Sequence, residues 1–330
     1  MSPDISIRFN RRQLLHGQAI AAPSLTTLRN WFPVMVEKNS ISWRYLPNRF
    51  TAPFFIDTLQ QQAHAERKVC VTTSDRLMHI EPALRPSAFI FHTSRCGSTL
   101  LTQLLSTLES CIVLSEPPAI DAFFYHHRDA LEEPASIMQL RQLILALGQQ
   151  RSPAETHFFI KLDSWHIQYL PLLRKAFPET PCWFLYREPD AIMASHRRRR
   201  GLQMIPGMVL PMQLSEEQLA PGDLDGYCAQ VLARFFEEAL KHADHLRWLH
   251  YRQLPNILWE QLLADIDLHC SSQQLQAMQQ RAAFHAKHID NLFNGDPAEN
   301  FSDTHEALRK KIEFLYDRIE QQRFTAEQLT

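Results

Sequence analysis

Glycine is scarce in this chain, with eight residues among 330. So few cannot build a glycine-rich loop system, a collagen-like period or a flexible Gly/Ser linker. A glycine set inside a polar turn therefore stands out. The six cysteines, at 70, 96, 111, 182, 228 and 270, show no Cys-x-x-Cys spacing. That argues against a zinc ribbon or a dithiol redox motif and fits buried thiols in a reducing compartment. No stretch approaches the ~20 apolar residues of a membrane span. No His-Glu-x-x-His motif or Cys/His cluster supports a metal site. An excess of one charge is missing too: 34 basic and 36 acidic residues leave −2, so neither nucleic acid nor an anionic membrane is expected as a partner.

What the chain does contain is a repeated strand, turn and helix start. In Ser87-Ala-Phe-Ile-Phe-His-Thr-Ser-Arg-Cys-Gly-Ser-Thr-Leu-Leu101, Ala88 to Phe91 form a short apolar run, and leucines recur at helical spacing after Thr99. Between them Gly97 and several hydroxyls fall at a helix N-terminus, where unpaired backbone N–H groups and the helix dipole hold an anion. Arg95 adds a fixed positive charge. A nucleoside-triphosphatase loop would need a lysine directly after its second glycine. Here Ser98 and Thr99 follow Gly97, and the basic residue precedes it by two.

A second such unit spans Pro181-Cys-Trp-Phe-Leu-Tyr-Arg-Glu-Pro-Asp-Ala-Ile-Met-Ala-Ser195. Cys182 to Tyr186 read as a buried strand, and Pro189 sits where a first helical turn tolerates it. Arg187 can make charge-assisted, bidentate bonds to a phosphate, with the Ser195 hydroxyl eight positions along to close the other side. Two anion sites at two strand-to-helix turns suit a nucleotide phosphorylated at two places.

Arg95-Cys96-Gly97-Ser98-Thr99 resembles the donor-binding loop of sulfotransferases that use 3′-phosphoadenosine 5′-phosphosulfate (PAPS), with Cys96 in place of the more usual serine. Arg187 and Ser195 resemble the arginine and serine with which that family binds the donor's 3′-phosphate. Glu116, closing the strand-like Cys111-Ile-Val-Leu-Ser-Glu, resembles the base of the protein-tyrosine branch. Lys161, closing His157-Phe-Phe-Ile-Lys, resembles a lysine that stabilises the transferred group. The resemblance runs from about Ala88 to Leu268. It implies a P-loop-type sulfotransferase: catalytic Glu116, Arg95 and Lys161; a donor site of Arg95, Cys96, Gly97, Ser98, Thr99, Arg187 and Ser195; and PAPS converted to adenosine 3′,5′-bisphosphate (PAP) with no metal required. The family's late basic loop with its glycine is not evident, since Arg309-Lys-Lys311 lacks the glycine.

The acceptor, a small molecule, glycan or peptide bearing a hydroxyl or amine, is left open, as is the oligomeric state. Two other readings are a P-loop phosphotransferase, with Asp163 as metal-binding carboxylate, and a non-catalytic nucleotide-binding or protein-interaction module. His166 is a rival base. His92 and His126–His127 read as satisfied or solvent-facing histidines. Most of the run His196-Arg-Arg-Arg-Arg200 reads as a solvated face, with one or two arginines able to reach a phosphate or an acidic acceptor.

Alternation of strands and helices predicts an α/β fold with a parallel sheet flanked by helices, and the resemblance implies that it is three-layered and of P-loop type. Residues 1–85, rich in aromatics, read as an N-terminal accessory region that binds acceptor or partner. Residues 86–330 read as the main domain, helical from about 271. Helices are expected over about Thr99–Leu108, Ile120–Ala130, Ala135–Leu147 and His166–Phe177, another over Ile56–Arg67, and one starting at Leu254 after the strand Leu246–Tyr251. A loop is expected at Asn294–Phe301. Gly201 to Gly222, polar and bounded by prolines, reads as a lid or a surface excursion. Asn10 to Ala22 resembles a twin-arginine export signal, but its apolar stretch is only a few residues long, so a cytoplasmic location is expected.

Overall fold

The computed structural model describes residues 11–22, 28–80, 83–209, 214, 219–284, 286–287 and 305–328. The first unit is a small sheet of β1 (Gln18–Ala19), β2 (Trp31–Val36), β3 (Ser40–Tyr45) and β4 (Lys68–Thr73) in the order β1-β4-β3-β2, with α1 (Arg11–Leu15) and α2 (Phe55–Gln61). β2 and β3 pair as an antiparallel hairpin whose turn is closed by Glu37 N–H and Ser40 C=O and by the Ser40 hydroxyl donating to Glu37. Arg44, fully buried on β3, donates to Gln62 and to the carbonyls of Gln13, Leu14 and Leu59, fastening α1 and α2 to the sheet.

The second unit is a five-stranded sheet of β5 (Ala88–His92), β6 (Cys111–Ser115), β7 (His157–Lys161), β8 (Cys182–Tyr186) and β9 (Arg247–His250). Its order is β6-β7-β5-β8-β9 and every pairing is parallel. Parallel strands covered on both faces read as continuous apolar runs, as Cys111–Ser115 and Cys182–Tyr186 do. Period-two alternation then divides them. Phe89, Phe91, Ile112, Leu114 and Phe158 enter one core, while Ala88, Ile90, Cys111, Val113 and Phe159 enter the other.

The first core is covered by α4 (Pro118–His126), α5 (Pro134–Leu147), α6 (Leu170–Ala176), α8 (Leu224–Lys241), α10 (Glu306–Glu327) and β2 of the small sheet. The second is covered by α3 (Ser98–Leu105), α9 (Ser272–Ala282) and the segment Ile257–Leu268. The expected three-layer α/β architecture is therefore present. The remaining helix, α7 (Pro189–Arg198), follows β8. Gln149 ties the two units through Asn30 N–H and the Trp31 carbonyl. Arg49 adds a bond to the Leu108 carbonyl.

Several expected boundaries are corrected. The helix over Ile56–Arg67 stops at Gln61, followed by a 3₁₀ turn. The helix expected over His166–Phe177 is a 3₁₀ turn over Ser164–Tyr169 followed by α6, because Pro171 lacks the N–H that would continue the ladder and so opens a new helix. The helix expected from Leu254 starts two residues later: after a 3₁₀ turn over Tyr251–Gln253, residues 256–257 are α-helical and pass directly into the π-helical Leu258–Leu262. The Asn294–Phe301 loop lies outside the described residues, as do Glu81 and much of 210–218. Among the described residues no helix is long and apolar enough to cross a membrane.

Candidate active site

In an order of this kind β5 and β8 are neighbours whose chains leave toward opposite edges, and the crevice between their carboxyl ends is where open α/β sheets bind ligands. Both anion turns open there. A cavity of about 380 Å³ is lined by Arg95, Gly97, Ser98 and Thr99 from the first turn, Arg187 and Ser195 from the second, and Glu116 and Lys161 from the ends of β6 and β7. The structure thus brings Arg95, Gly97, Ser98, Thr99, Glu116, Lys161, Arg187 and Ser195 to one surface, but not Cys96. Cys96 lies beneath the loop, fully buried, with Sγ 3.2 Å from the Leu185 carbonyl.

The loop's shape follows from three left-handed residues, Ser94 (φ 68°), Arg95 (φ 53°) and Gly97 (φ 85°). The changes of hand after Arg95 and again at Gly97 are of the kind that shape an anion-binding concavity of backbone N–H groups. Gly97 is required twice over: its φ favours glycine, and a Cβ would stand 2.8 Å from both Leu254 Cδ1 and Tyr251 Cδ2. Arg95 sits where Arg199 C=O at the end of α7 accepts from its guanidinium. Burial, and then Arg199 and Arg198, lower its pKa.

At one end of the cavity, Lys161, wholly buried, places Nζ 3.0 Å from Glu116 Oε1 and 3.3 Å from Thr99 Oγ1, above the Phe54 ring. Glu116 is itself left-handed (φ 56°), and its N–H donates to the Lys161 carbonyl. Burial pushes its carboxyl up, but Lys161 and His92 outweigh that and hold it well below its ordinary value. His92 Nε2 faces the same oxygen at 3.5 Å, while His92 Nδ1 accepts the Ser94 N–H at 3.0 Å. Burial lowers the imidazole's pKa, and Cys96 and Glu116 raise it past that.

At the other end Arg187 stacks on the Tyr251 ring at 4.2 Å. The arginine run divides. Arg197 and Arg200 both pair with Asp225 of α8, Arg198 and Arg199 are exposed, and none of the four lines the cavity. His196 is buried, its pKa pushed down to about 3 by burial and by Arg95 and Arg200.

Phe54, Trp165, Tyr251 and Lys287 also line the cavity and were not nominated from sequence. Burial, Arg95 and Lys161 lower the pKa of Lys287 to about 8. None of these residues sits in a recognisable motif; Tyr251 alone carries a signal, as the first residue after a strand in an α/β sheet. His166 is not among the lining residues: it is buried, with Nε2 3.0 Å from Asp121 Oδ1, which also accepts from Trp165 Nε1. Asp121, Asp163 and His166 lie close enough to share an ion, yet those hydrogen bonds already account for the Asp121 oxygen.

No protein-family model matches the chain, and no curated protein matches it. Among solved structures it is similar to a sulfotransferase from Mycobacterium avium at 13% identity, over 72% of this chain and 77% of that one, with a TM-score of 0.46. A sulfotransferase from Mycobacterium tuberculosis H37Rv gives 15% identity, 72% and 78% coverage and a TM-score of 0.44. One from Alicyclobacillus acidocaldarius gives 12%, 73% and 95%, with a TM-score of 0.36. Such likenesses are too remote to transfer the role of any residue.

Proposed function

We propose that this cavity binds PAPS and transfers its sulfuryl group to a hydroxyl or amine acceptor. The observation that carries the reading is the meeting of two anion turns, the Ser94–Thr99 loop and the Arg187/Ser195 pair, with a Glu116–Lys161 pair at the wall of the same cavity. In this reading the N–H groups of Gly97 to Thr99 and Arg95 hold the 5′-phosphosulfate, and Arg187 with Ser195 holds the 3′-phosphate.

Lys161 belongs with Glu116 in the ligand-free protein. A carboxylate held that low accepts a proton poorly. When Lys161 turns to the sulfuryl oxygens its pull on Glu116 falls, the carboxylate becomes more basic, and it takes the acceptor's proton as the sulfur is attacked in line with its bridging oxygen. Arg95, Lys161 and the loop amides then stabilise the departing charge. Phe54, from the region before residue 86, and Gly201 to Gln203 line the cavity too; both regions are assigned to the acceptor side.

The phosphotransferase reading is disfavoured because no lysine follows Gly97. Calorimetry with PAP, adenosine 5′-monophosphate and ATP–Mg decides among the readings. PAP binds more tightly than the monophosphate by about 1.5–3 kcal/mol, the value of a charge-assisted contact, or roughly 10- to 150-fold. Equal affinity for the two overturns the assignment.

A further inference from the structure

Glu116 Oε1 has two partners within the walls of the cavity, Lys161 Nζ and His92 Nε2, and the proposed reaction draws one of them away. We propose that His92 is a positioning residue for Glu116, holding the carboxylate with its Nε2–H while Lys161 serves the donor. The inference rests on the reading of Glu116 as the base, but its geometry does not.

The imidazole is about 5% exposed and sits at the last position of β5, so its ring cannot swing to water. Its orientation is set by the anion loop. The Ser94 N–H donates to Nδ1 at 3.0 Å, which makes Nδ1 an acceptor and puts the ring proton on Nε2. Nε2, buried and without a hydrogen-bond partner in the ligand-free protein, then faces the Glu116 oxygen 3.5 Å away, a gap the carboxylate closes once Lys161 leaves it. A second proton on the ring would set Nδ1–H against Ser94 N–H, so the closed loop selects the neutral, Nε2-protonated ring against the pull of Cys96 and Glu116 toward the charged form.

The groups facing His92 are Cys96 of the loop, Glu116 after β6 and Lys161 of β7. Those facing Glu116 are His92 and Lys161, with Arg95, Asp57 of α2 and Lys287 farther out. Once Lys161 turns away, His92 is the nearest donor still aimed at the carboxylate. Because the Ser94 amide that aims it belongs to the phosphate loop, the arrangement links loop geometry to the direction in which Glu116 presents its oxygens.

The test uses two variants of the full, ligand-free chain that each keep one half of the imidazole. His92→Asn keeps an acceptor near Nδ1 for the Ser94 amide and removes the donor toward Glu116. His92→Gln keeps a donor near Nε2 and removes the acceptor. Carbon-13 NMR of labelled glutamate, with the Glu116 signal identified by its loss in Glu116→Gln, follows the carboxyl titration in wild type, each variant and a Lys161→Met background.

His92→Asn raises the Glu116 midpoint by about one pH unit, the effect of losing a buried donor that faces the charged form, and leaves the Ser94 amide signal in place. His92→Gln leaves the midpoint within a few tenths and moves the Ser94 signal. In wild type, nitrogen-15 shifts of the ring show Nε2 protonated and Nδ1 bare. An unmoved Glu116 titration in His92→Asn, an equal shift in His92→Gln, or a proton on Nδ1 each overturns the proposal. These readouts need no nucleotide, so their failure is distinct from failure of PAP to bind.

Discussion

Replacing Gly97 with alanine tests the anion loop where backbone and packing demand the same residue. At φ 85° an alanine pays about 1–2 kcal/mol for the left-handed conformation. Its Cβ also meets Leu254 Cδ1 and Tyr251 Cδ2 at 2.8 Å, well inside ordinary carbon contact, and overpacking of that kind costs about 1–3 kcal/mol. Lower entropy of the unfolded chain returns about 0.4–1 kcal/mol, leaving a net loss of about 1–4.5 kcal/mol. Gly207 supplies the control. It is also left-handed (φ 76°), but a Cβ there meets nothing within 4 Å. Gly207→Ala therefore bears only the backbone cost, at most about 1.5 kcal/mol net. Urea unfolding of both variants reads the difference. The packing cost has a second destination, because Tyr251 is the ring on which Arg187 stacks. Displacing it weakens PAP binding by roughly tenfold, the value of a partly desolvated cation–π contact, whereas Gly207→Ala leaves calorimetric affinity unchanged. If Gly97→Ala unfolds like Gly207→Ala and binds PAP like wild type, the loop does not lean on Tyr251 and the reasoning fails.

Glu116→Gln keeps PAP affinity while sulfuryl transfer from PAPS to a panel of phenols, alcohols and amines falls by roughly 10²–10⁴-fold; unchanged turnover places the base elsewhere. Because the folded carboxyl titrates below its unfolded value, its stabilising contribution is complete above about pH 5 and is lost as pH falls through the folded pKa. Stability of Glu116→Gln accordingly declines less steeply than wild type between about pH 5 and 3, read from urea midpoints, and parallel curves contradict the pairing. Arg95→Ala lowers single-turnover rate more than PAP affinity, and Arg187→Ala does the opposite, since the charge on the 3′-phosphate does not change in the reaction; a reversed pattern exchanges the two assignments. Arg44→Met strands the buried carbonyls of Leu14 and Leu59 and the part-buried one of Gln13 and costs more than about 3 kcal/mol in urea unfolding; a loss below about 1 kcal/mol shows that those groups find other partners.

The main sheet was legible in the sequence because its strands are buried on both faces and write themselves as apolar runs ending in polar turns. His157–Lys161 and Cys182–Tyr186 fall where they were read, the strand read as Cys111–Glu116 stops one residue earlier at Ser115, and the nominated residues stand at or just past these ends. The small sheet was not legible for a related reason. All six residues of Trp31–Val36 are buried, so no alternation marks the strand, and Pro33 within it reads as a breaker although it sits at a register shift. After Leu254 the apolar spacing is real, since Ile257, Leu258, Leu262 and Leu263 are all buried, but π and 3₁₀ winding lies beyond what spacing encodes. Phe54, Lys287 and the turn of His92 toward Glu116 depend on tertiary neighbours that lie far away in the chain.

The polar contacts of α10 have a consequence for the order in which the protein is made. Tyr186, the residue before Arg187, donates to Glu320 and accepts from Arg323, and His250 at the end of β9 lies 3.1 Å from the Tyr316 hydroxyl. A ribosome finishes β8 more than a hundred residues before it supplies those partners. Until α10 emerges, the nascent chain carries a phenol and an imidazole at the rim of its sheet that must stay wet, and the strand end that aims Arg187 has no backing. The candidate crevice is thus among the first parts of the main sheet to be encoded and among the last to be finished. Binding of PAP to stalled nascent chains of increasing length should switch on only after residue 323 has left the exit tunnel.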